Sequence, residues 1–309
     1  MKTLEKNKLK NKLVVITGPT CSGKTELSLK LASSLSTEII SADSMQVYKG
    51  FDIGTAKPEK GILSSIKHHL INIVEANHDF DAWKYMTLAR DVINETKLKF
   101  LIVSGGTQLY IKSLLEGLTA QASKDIDFRD SMNNQIHEKG IFYLYEQLKK
   151  VDPVSAEKIS SNDKQRIIRY LEIDYLSKQN KGEPLNLDNK GEIQNCDYIK
   201  VGLMIPKSEL DLLINKRVDE MVDKGLFNEV EDLAKLYNKD LKPFQSIGYK
   251  EAIMYISGDL KKNEAINLIK TKTRQFAKRQ NTWLRKDNKM IWFSGADELL
   301  DFSRKFLIS

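Results

Sequence analysis

The stretch Leu13-Val14-Val15-Ile16-Thr17-Gly18-Pro19-Thr20-Cys21-Ser22-Gly23-Lys24-Thr25 sets a β-like apolar run directly before a segment that fits G-x-x-x-x-G-K-[ST] at every fixed position. In such a loop the glycines let backbone N–H groups turn inward on an anion, the lysine reaches the terminal phosphates, and the last hydroxyl is placed to ligate Mg²⁺. The helix-prone sequence ELSLKLASSL (26–35) follows, so strand, loop and helix arrive in the order that this motif needs. Gly18 to Thr25 is therefore a cradle for a diphosphate or triphosphate. The loop alone leaves open whether that phosphate is transferred, hydrolysed or lost as a leaving group.

Working outward, β-like runs recur at 38–42, 70–74 and 100–104, most of them separated by helical patterns. Strands alternating with helices predict an α/β fold, a parallel sheet flanked by helices as in P-loop NTPases. The run at 38–42 leads into Asp43-Ser44 and the run at 100–104 into Gly105-Gly106-Thr107. Polar and glycine residues thus gather at the carboxyl ends of strands, the edge where open α/β sheets bind ligands.

After Gly117 the pattern becomes helical, at 128–139, 141–150 and 163–178, and then polar at 182–195. A buried-strand signal returns at 198–205. We read 1–118 and 198–309 as one catalytic core and 119–197 as a helical insertion domain; a second independent domain is the alternative. Ser208 is the expected N-cap of a helix along which Leu210, Leu213, Ile214, Val218, Met221 and Val222 recur at helical spacing, with Arg217 beside that stripe. A long basic helix at 266–286 and a last strand at 290–294 complete the reading.

At 309 residues, 41% hydrophobic and 29% charged, the chain has the composition of a soluble globular protein. No apolar run approaches the roughly 18 residues of a membrane helix. The Lys-rich start lacks the apolar centre of a secretory signal, and two isolated cysteines, Cys21 and Cys196, point to a reducing, cytoplasmic setting. Net charge is +7, but ten Lys or Arg stand against two acids between 261 and 290, so the basic charge is focused there. Lys270, Arg274 and Lys278 fall at i, i+4 and i+8, with Gln275, Gln280 and Trp283 nearby. Such a stripe suits a nucleic-acid backbone; a solvated lysine-rich face is the plainer alternative.

P-loop ATPases and GTPases place an acid at the end of a strand to hold Mg²⁺ through water. Here 104–107 reads Ser-Gly-Gly-Thr, and the one strand-end acid near the cradle is Asp43. This weakens NTP hydrolysis and leaves an ATP-dependent small-molecule kinase open. Asp43 itself reads equally as a base facing the phosphates or as an N-cap. Thr107 reads first as turn chemistry, and His68 and His69 as structural residues with no metal-ligand spacing around them.

Taken together these residues resemble the bacterial tRNA dimethylallyltransferases, also called tRNA isopentenyltransferases. The blocks GPTCSGKT (18–25), SADSMQVYKGFDIGTAKP (41–58), GGTQLY (105–110), DPVSAEKISSNDKQRIIRYLE (152–172), KRVDEMVDKGLFNEV (216–230), SIGYKE (246–251) and TRQFAKRQNTWLR (273–285) look like family blocks in the family's order. Cys21 and Tyr170 stand where many members have Ala.

The resemblance implies transfer of a dimethylallyl group from its diphosphate to N6 of adenosine 37 in tRNA, releasing diphosphate. Gly18, Pro19, Thr20, Cys21, Ser22, Gly23, Lys24 and Thr25 would then hold the diphosphate. By the same carry-over Asp43 is the general base, Lys24 and Arg217 neutralise the leaving group, and Thr25 helps to place Mg²⁺. Asp43, Ser44, Met45, Gln46, Thr107, Arg129, Gln165, Arg166, Ile167, Ile168 and Arg169 would meet the tRNA, with the insertion gripping its anticodon stem-loop. The expected enzyme is a cytoplasmic monomer without membrane attachment. An isopentenyltransferase acting on free adenine nucleotides shares the cradle and the strand-end acid, but would not need the insertion or the basic helix.

Overall fold

Along β1 (Asn11–Thr17) Leu13 and Val15 turn to one side of the sheet and Val14 and Ile16 to the other, all of them buried. A strand apolar on both faces must be covered on both, which is the condition of a central parallel strand. The structure, a computed structural model, describes residues 11–118, 125–179 and 191–309. The lysine-rich start up to residue 10, the first part of the expected insertion at 119–124 and most of the polar stretch at 182–195 lie outside the described residues. The chain divides into two compact units, Met1–Glu116 with Glu192–Ser309, and Gly117–Gly191.

The larger unit continues from β1 through α1 (Lys24–Leu35), β2 (Ile39–Ser41), α2 (Lys60–Ser65), β3 (His68–His69), α3 (Ala82–Glu95), β4 (Phe100–Gly105) and α4 (Gln108–Glu116). The smaller unit holds α5 (Ile126–Lys139), α6 (Ile141–Val151), α7 (Pro153–Glu157) and α8 (Lys164–Gln179). The chain returns as β5 (Cys196–Leu203), α9 (Lys207–Asp223), α10 (Leu226–Leu236), a 3₁₀ turn at Lys242–Gln245, α11 (Tyr249–Ile256), α12 (Lys262–Leu284), β6 (Met290–Phe293) and α13 (Ala296–Ile308). Just before β5, Ile193 N–H donates to the carbonyl of Leu115 at 2.8 Å, tying the start of the returning chain to the end of α4.

Six strands form one sheet in the order β3-β2-β4-β1-β5-β6, every pair parallel. Leu27, Leu31, Leu299 and Leu307 from α1 and α13 cover one face, while α3, α4, α10, α11 and α12 cover the other. Thr17 pairs with Gly105 and Ser41 with Ser104, so β1, β4 and β2 end at one level. Gly105 is forced at that edge, since a Cβ there would sit 2.2 Å from the carbonyl oxygen of Ala42.

Several expected boundaries move, for physical reasons. The run at 70–74 is not a strand: Leu70 and Asn72 take positive φ, which breaks extended geometry, and the strand is the pair His68–His69. Pro206, not Ser208, stands at the N-cap of α9, with φ −56° and ψ 143° and no side-chain cap bond, and Ser208 is already the second helical residue. Leu213 is exposed and leaves the buried stripe to Leu210, Ile214 and Val218. β5 begins at Cys196, inside the stretch assigned to the insertion, and α12 begins at Lys262, where Glu264 accepts from Lys261 N–H.

The smaller unit has its own core of Met132, Leu144, Leu148, Ala156, Ile167, Ile168 and Leu171. At its edge Glu172 is fully buried and accepts from Arg129 Nε and Nη2 and from Arg169 Nη1, each at 2.6 Å, and from Asp125 N–H at 2.9 Å. Burial pushes the Glu172 carboxyl up, but the two guanidinium partners outweigh it and hold the group below its ordinary value of 4.5. A depressed carboxyl contributes stability that is present above its unfolded-state pKa and lost as pH falls through the folded one. Glu172→Gln is accordingly expected to cost about 1.5–3 kcal/mol at neutral pH. The gap between its urea-unfolding stability and that of the wild type narrows as pH falls below the ordinary carboxylate range, which a pH series of denaturation curves measures directly.

Candidate active site

The cradle is closed by its own hydrogen bonds. Ser22 N–H donates to the Pro19 carbonyl at 3.3 Å and Cys21 takes a positive φ of 64°, which turns the loop sharply between β1 and α1. Lys24, the first residue of α1, donates from Nζ to the same Pro19 carbonyl at 2.5 Å. Ser22 Oγ is buried with no hydrogen-bond partner among the described residues. The exposed Thr25 follows in the first turn of α1, a hard oxygen donor next to the cradle.

A second cation arrives from α9. Leu210 and Ile214 pack against Ala277 of α12 with Cys21 beside them, and this seam holds α9 over the loop. One turn further on, Arg217 Nη1 donates to Thr20 Oγ1 at 3.2 Å and to Cys21 Sγ at 3.7 Å. Burial, and then the charge of Arg217, lower the Lys24 pKa to about 8, against smaller upward effects of Cys21 and Asp43. The cradle thus sets two cations, Lys24 and Arg217, close enough for their charges to oppose each other.

Asp43 follows β2 at the same edge. Its Oδ1 accepts from Met45 N–H (2.9 Å) and Gln46 N–H (3.3 Å), so the carboxylate caps the turn that it opens. The capping role leaves Oδ2 without a hydrogen bond among the described residues, and the two readings of Asp43 are compatible. Thr107 supports the turn from β4: its Oγ1 accepts from Ser44 N–H at 3.0 Å and its N–H donates to the Ala42 carbonyl at 3.1 Å. Gln46 accepts from Ser41 Oγ and donates to the carbonyls of Thr55 and Ala56.

That second loop is held by residues the sequence reading passed over. Glu229 on α10 accepts from the N–H groups of Asp52, Ile53 and Gly54 and, at 2.5 Å, from the Tyr249 hydroxyl. The Lys57 ammonium, almost wholly buried, donates to the Tyr48 carbonyl, Asp52 Oδ1 and Asn72 Oδ1. Both residues lie in the matching sequence blocks, yet only the fold shows that a carboxylate and an ammonium are spent on backbone.

The basic stripe of α12 is divided. Lys270 pairs with Asp219 at 2.6 Å and Arg274 donates to Asn215 Oδ1 at 2.6 Å, both partners on α9, whereas Lys278 is exposed. Gln280, read with the stripe from sequence, is buried and faces the cradle. In the smaller unit Gln165 and Arg166 are exposed, and Arg129 and Arg169 present partly exposed guanidinium groups on Glu172. Ile167 and Ile168 are buried in that unit's core, so their side chains are withdrawn from the expected tRNA contacts.

A P-loop at the carboxyl edge of a parallel sheet, with Lys24 and Arg217 over it and no acid closing β4, defines an α/β protein of the P-loop class. The family model described as IPP transferase matches residues 46–287, and the chain belongs to that family. It is 42% identical over 293 residues to a tRNA dimethylallyltransferase 2 of Geotalea daltonii, covering 93% of this chain and 89% of that one. To a tRNA dimethylallyltransferase of Carboxydothermus hydrogenoformans it is 40% identical, covering 95% of each. Among solved structures, the tRNA isopentenylpyrophosphate transferase of Bacillus halodurans superposes with a TM-score of 0.69 at 35% identity over 97% of both chains. A eukaryotic dimethylallyltransferase captured acting on tRNA gives 0.77 at 27% identity, over 96% of this chain and 80% of that one.

The depressed Lys24 ammonium has a measurable consequence. A bound diphosphate restores its charge, so affinity for a diphosphate monoester, already fully ionised there, should fall as pH rises through about 8. Binding above that pH takes up a proton, which calorimetry in buffers of different ionisation enthalpy detects. Lys24→Met abolishes the uptake.

Proposed function

We propose that this chain transfers the dimethylallyl group of dimethylallyl diphosphate to N6 of adenosine 37 in tRNA. The observation that carries this reading is the convergence of Lys24, Arg217 and Asp43 on one strand edge, in a chain of the IPP transferase family. An exocyclic adenine amine is a poor nucleophile because its lone pair is delocalised into the ring. A carboxylate that accepts a hydrogen bond from N6–H raises electron density at the nitrogen where the new bond forms.

In the step itself N6 bonds to C1 of the allyl group, the C1–O bond breaks, and its electron pair leaves with the diphosphate. Asp43 receives the N6 proton on Oδ2, while Oδ1 stays fixed by Met45 and Gln46. Lys24 and Arg217 stabilise the charge that develops on the departing oxygen; such preorganised electrostatic groups commonly give the largest share of rate enhancement. The Thr25 hydroxyl and the diphosphate oxygens form the hard-oxygen donor set that suits Mg²⁺, which when bound supplies further positive charge at the leaving group. In the smaller unit Gln165, Arg166, Arg129 and Arg169 are surface groups suited to tRNA phosphates, and in the larger unit Lys278 is another. The target base must leave its stack to reach the pocket, which costs least in a loop.

The test incubates the protein with Mg²⁺, dimethylallyl diphosphate and unmodified tRNA and looks for N6-dimethylallyladenosine by mass spectrometry. Absence of that product from a folded preparation would sink the proposal. Asp43→Asn keeps the turn cap and removes the base; transfer is expected to fall by about 10²–10⁴-fold with tRNA affinity preserved. Arg217→Ala is expected to raise the KM for the diphosphate donor far more than the KM for tRNA. An unchanged donor KM would remove Arg217 from the leaving-group site.

A further inference from the structure

Gln280 lies in the last turns of α12 between Arg279, which is exposed, and the basic end of the helix, yet it is only 6% exposed. Burying a carboxamide is costly unless both ends are bonded, and here both ends bond to main chain. Thr20 N–H in the cradle donates to Oε1 at 2.8 Å, and Nε2 donates to the carbonyl of Gly106 at 2.8 Å. The approach is close enough that a Cβ on Gly106 would lie 2.5 Å from Nε2.

From Gly106 the same chain of bonds runs on to the base. The next residue, Thr107, donates through N–H to the Ala42 carbonyl and accepts from Ser44 N–H, so it grips Asp43 from both sides. One side-chain amide therefore joins the loop that holds the leaving group to the turn that holds the proton acceptor. It is not needed to dock α12, which Ile269, Ala277 and Leu284 bury and which Lys270 and Arg274 tie to α9.

We infer that Gln280 is a positioning residue that sets the separation between the diphosphate cradle and Asp43. The inference rests on the transfer reaction proposed above. In a displacement at an allylic carbon the nucleophile and the leaving oxygen must face that carbon from opposite sides. A bridge that fixes both flanks acts on the bond-making step rather than on either substrate's affinity.

The experiment compares wild type, Gln280→Met, Gly106→Ala and the double variant at saturating donor and tRNA, with tRNA affinity and thermal melting measured in parallel. Methionine keeps the length and helix propensity of glutamine without its hydrogen bonds, and Gly106→Ala displaces the amide from the opposite end. Each single variant is expected to lose about ten- to a hundredfold in kcat, with tRNA affinity within about twofold of wild type and a single cooperative melt near the wild-type temperature. The double variant should lose no more than the worse single one, because both break one bridge. Full kcat in folded Gln280→Met overturns the inference, as do losses that multiply in the double variant or that merely follow a fallen melting temperature. If Gln280→Met does not fold, folded Gly106→Ala with wild-type kcat overturns it alone. Wild type that makes no prenylated nucleoside overturns the reaction beneath the inference, a result distinct from an active wild type with indifferent variants.

Discussion

The close passage of β4 against the end of β2 governs the site. Ala42 N–H donates to the Ser104 carbonyl at 2.7 Å, and Gly105 leaves no room for a side chain against Ala42. Because Thr17 of β1 pairs with that same glycine, three strands finish at one height and their following loops open side by side. Sheet register brings the cradle, the Asp43 turn and the Thr107 turn side by side, and Gln280 bonds the first of these to the loop after β4. A residue with a side chain at 105 would push β2 and β4 apart and separate the phosphate loop from the carboxylate.

Onto that edge the later part of the chain adds its cations and its amide. α9 and α12 are fastened to each other by the Leu210, Ile214 and Ala277 seam and by the Lys270 and Arg274 contacts. Arg217 and Gln280 therefore reach the loop from a single supported pair of helices. Burial first, and then the charge of Arg217, keep the Lys24 ammonium below its ordinary pKa. An anion seated there would be met by two cations already held in place by the fold.

What could be read in the sequence was what is local in the sequence. The cradle, the parallel alternation and Asp43 at a strand end depend on residues within one short window each, and the structure shows the cradle and sheet in those places. The run at 70–74 misled because its apolar composition matches a strand, whereas its backbone is turned by Leu70 and Asn72. Gln280 reads in the sequence with the basic stripe as part of a nucleic-acid face, because the charges around it conceal that it is buried against the cradle. Glu172 gave no signal, since the burial of a carboxylate is set by Arg129, 43 residues earlier, and not by its neighbours in the chain. Ile167 and Ile168 sit in a recognisable block, but their apolar side chains belong to the core of the smaller unit.

The hydrogen bond between Ile193 and Leu115 has a consequence for the length of chain between them. The path leaves the larger unit after α4 and comes back at a point already bonded to that helix, so the sheet experiences the whole of 117–191 as one closed detour. Changing the length of a detour whose ends are fixed costs little, because the entropy of closure grows only with the logarithm of length. Because both ends of the detour are anchored on the larger unit, the register of the sheet places no condition on how many residues lie between them.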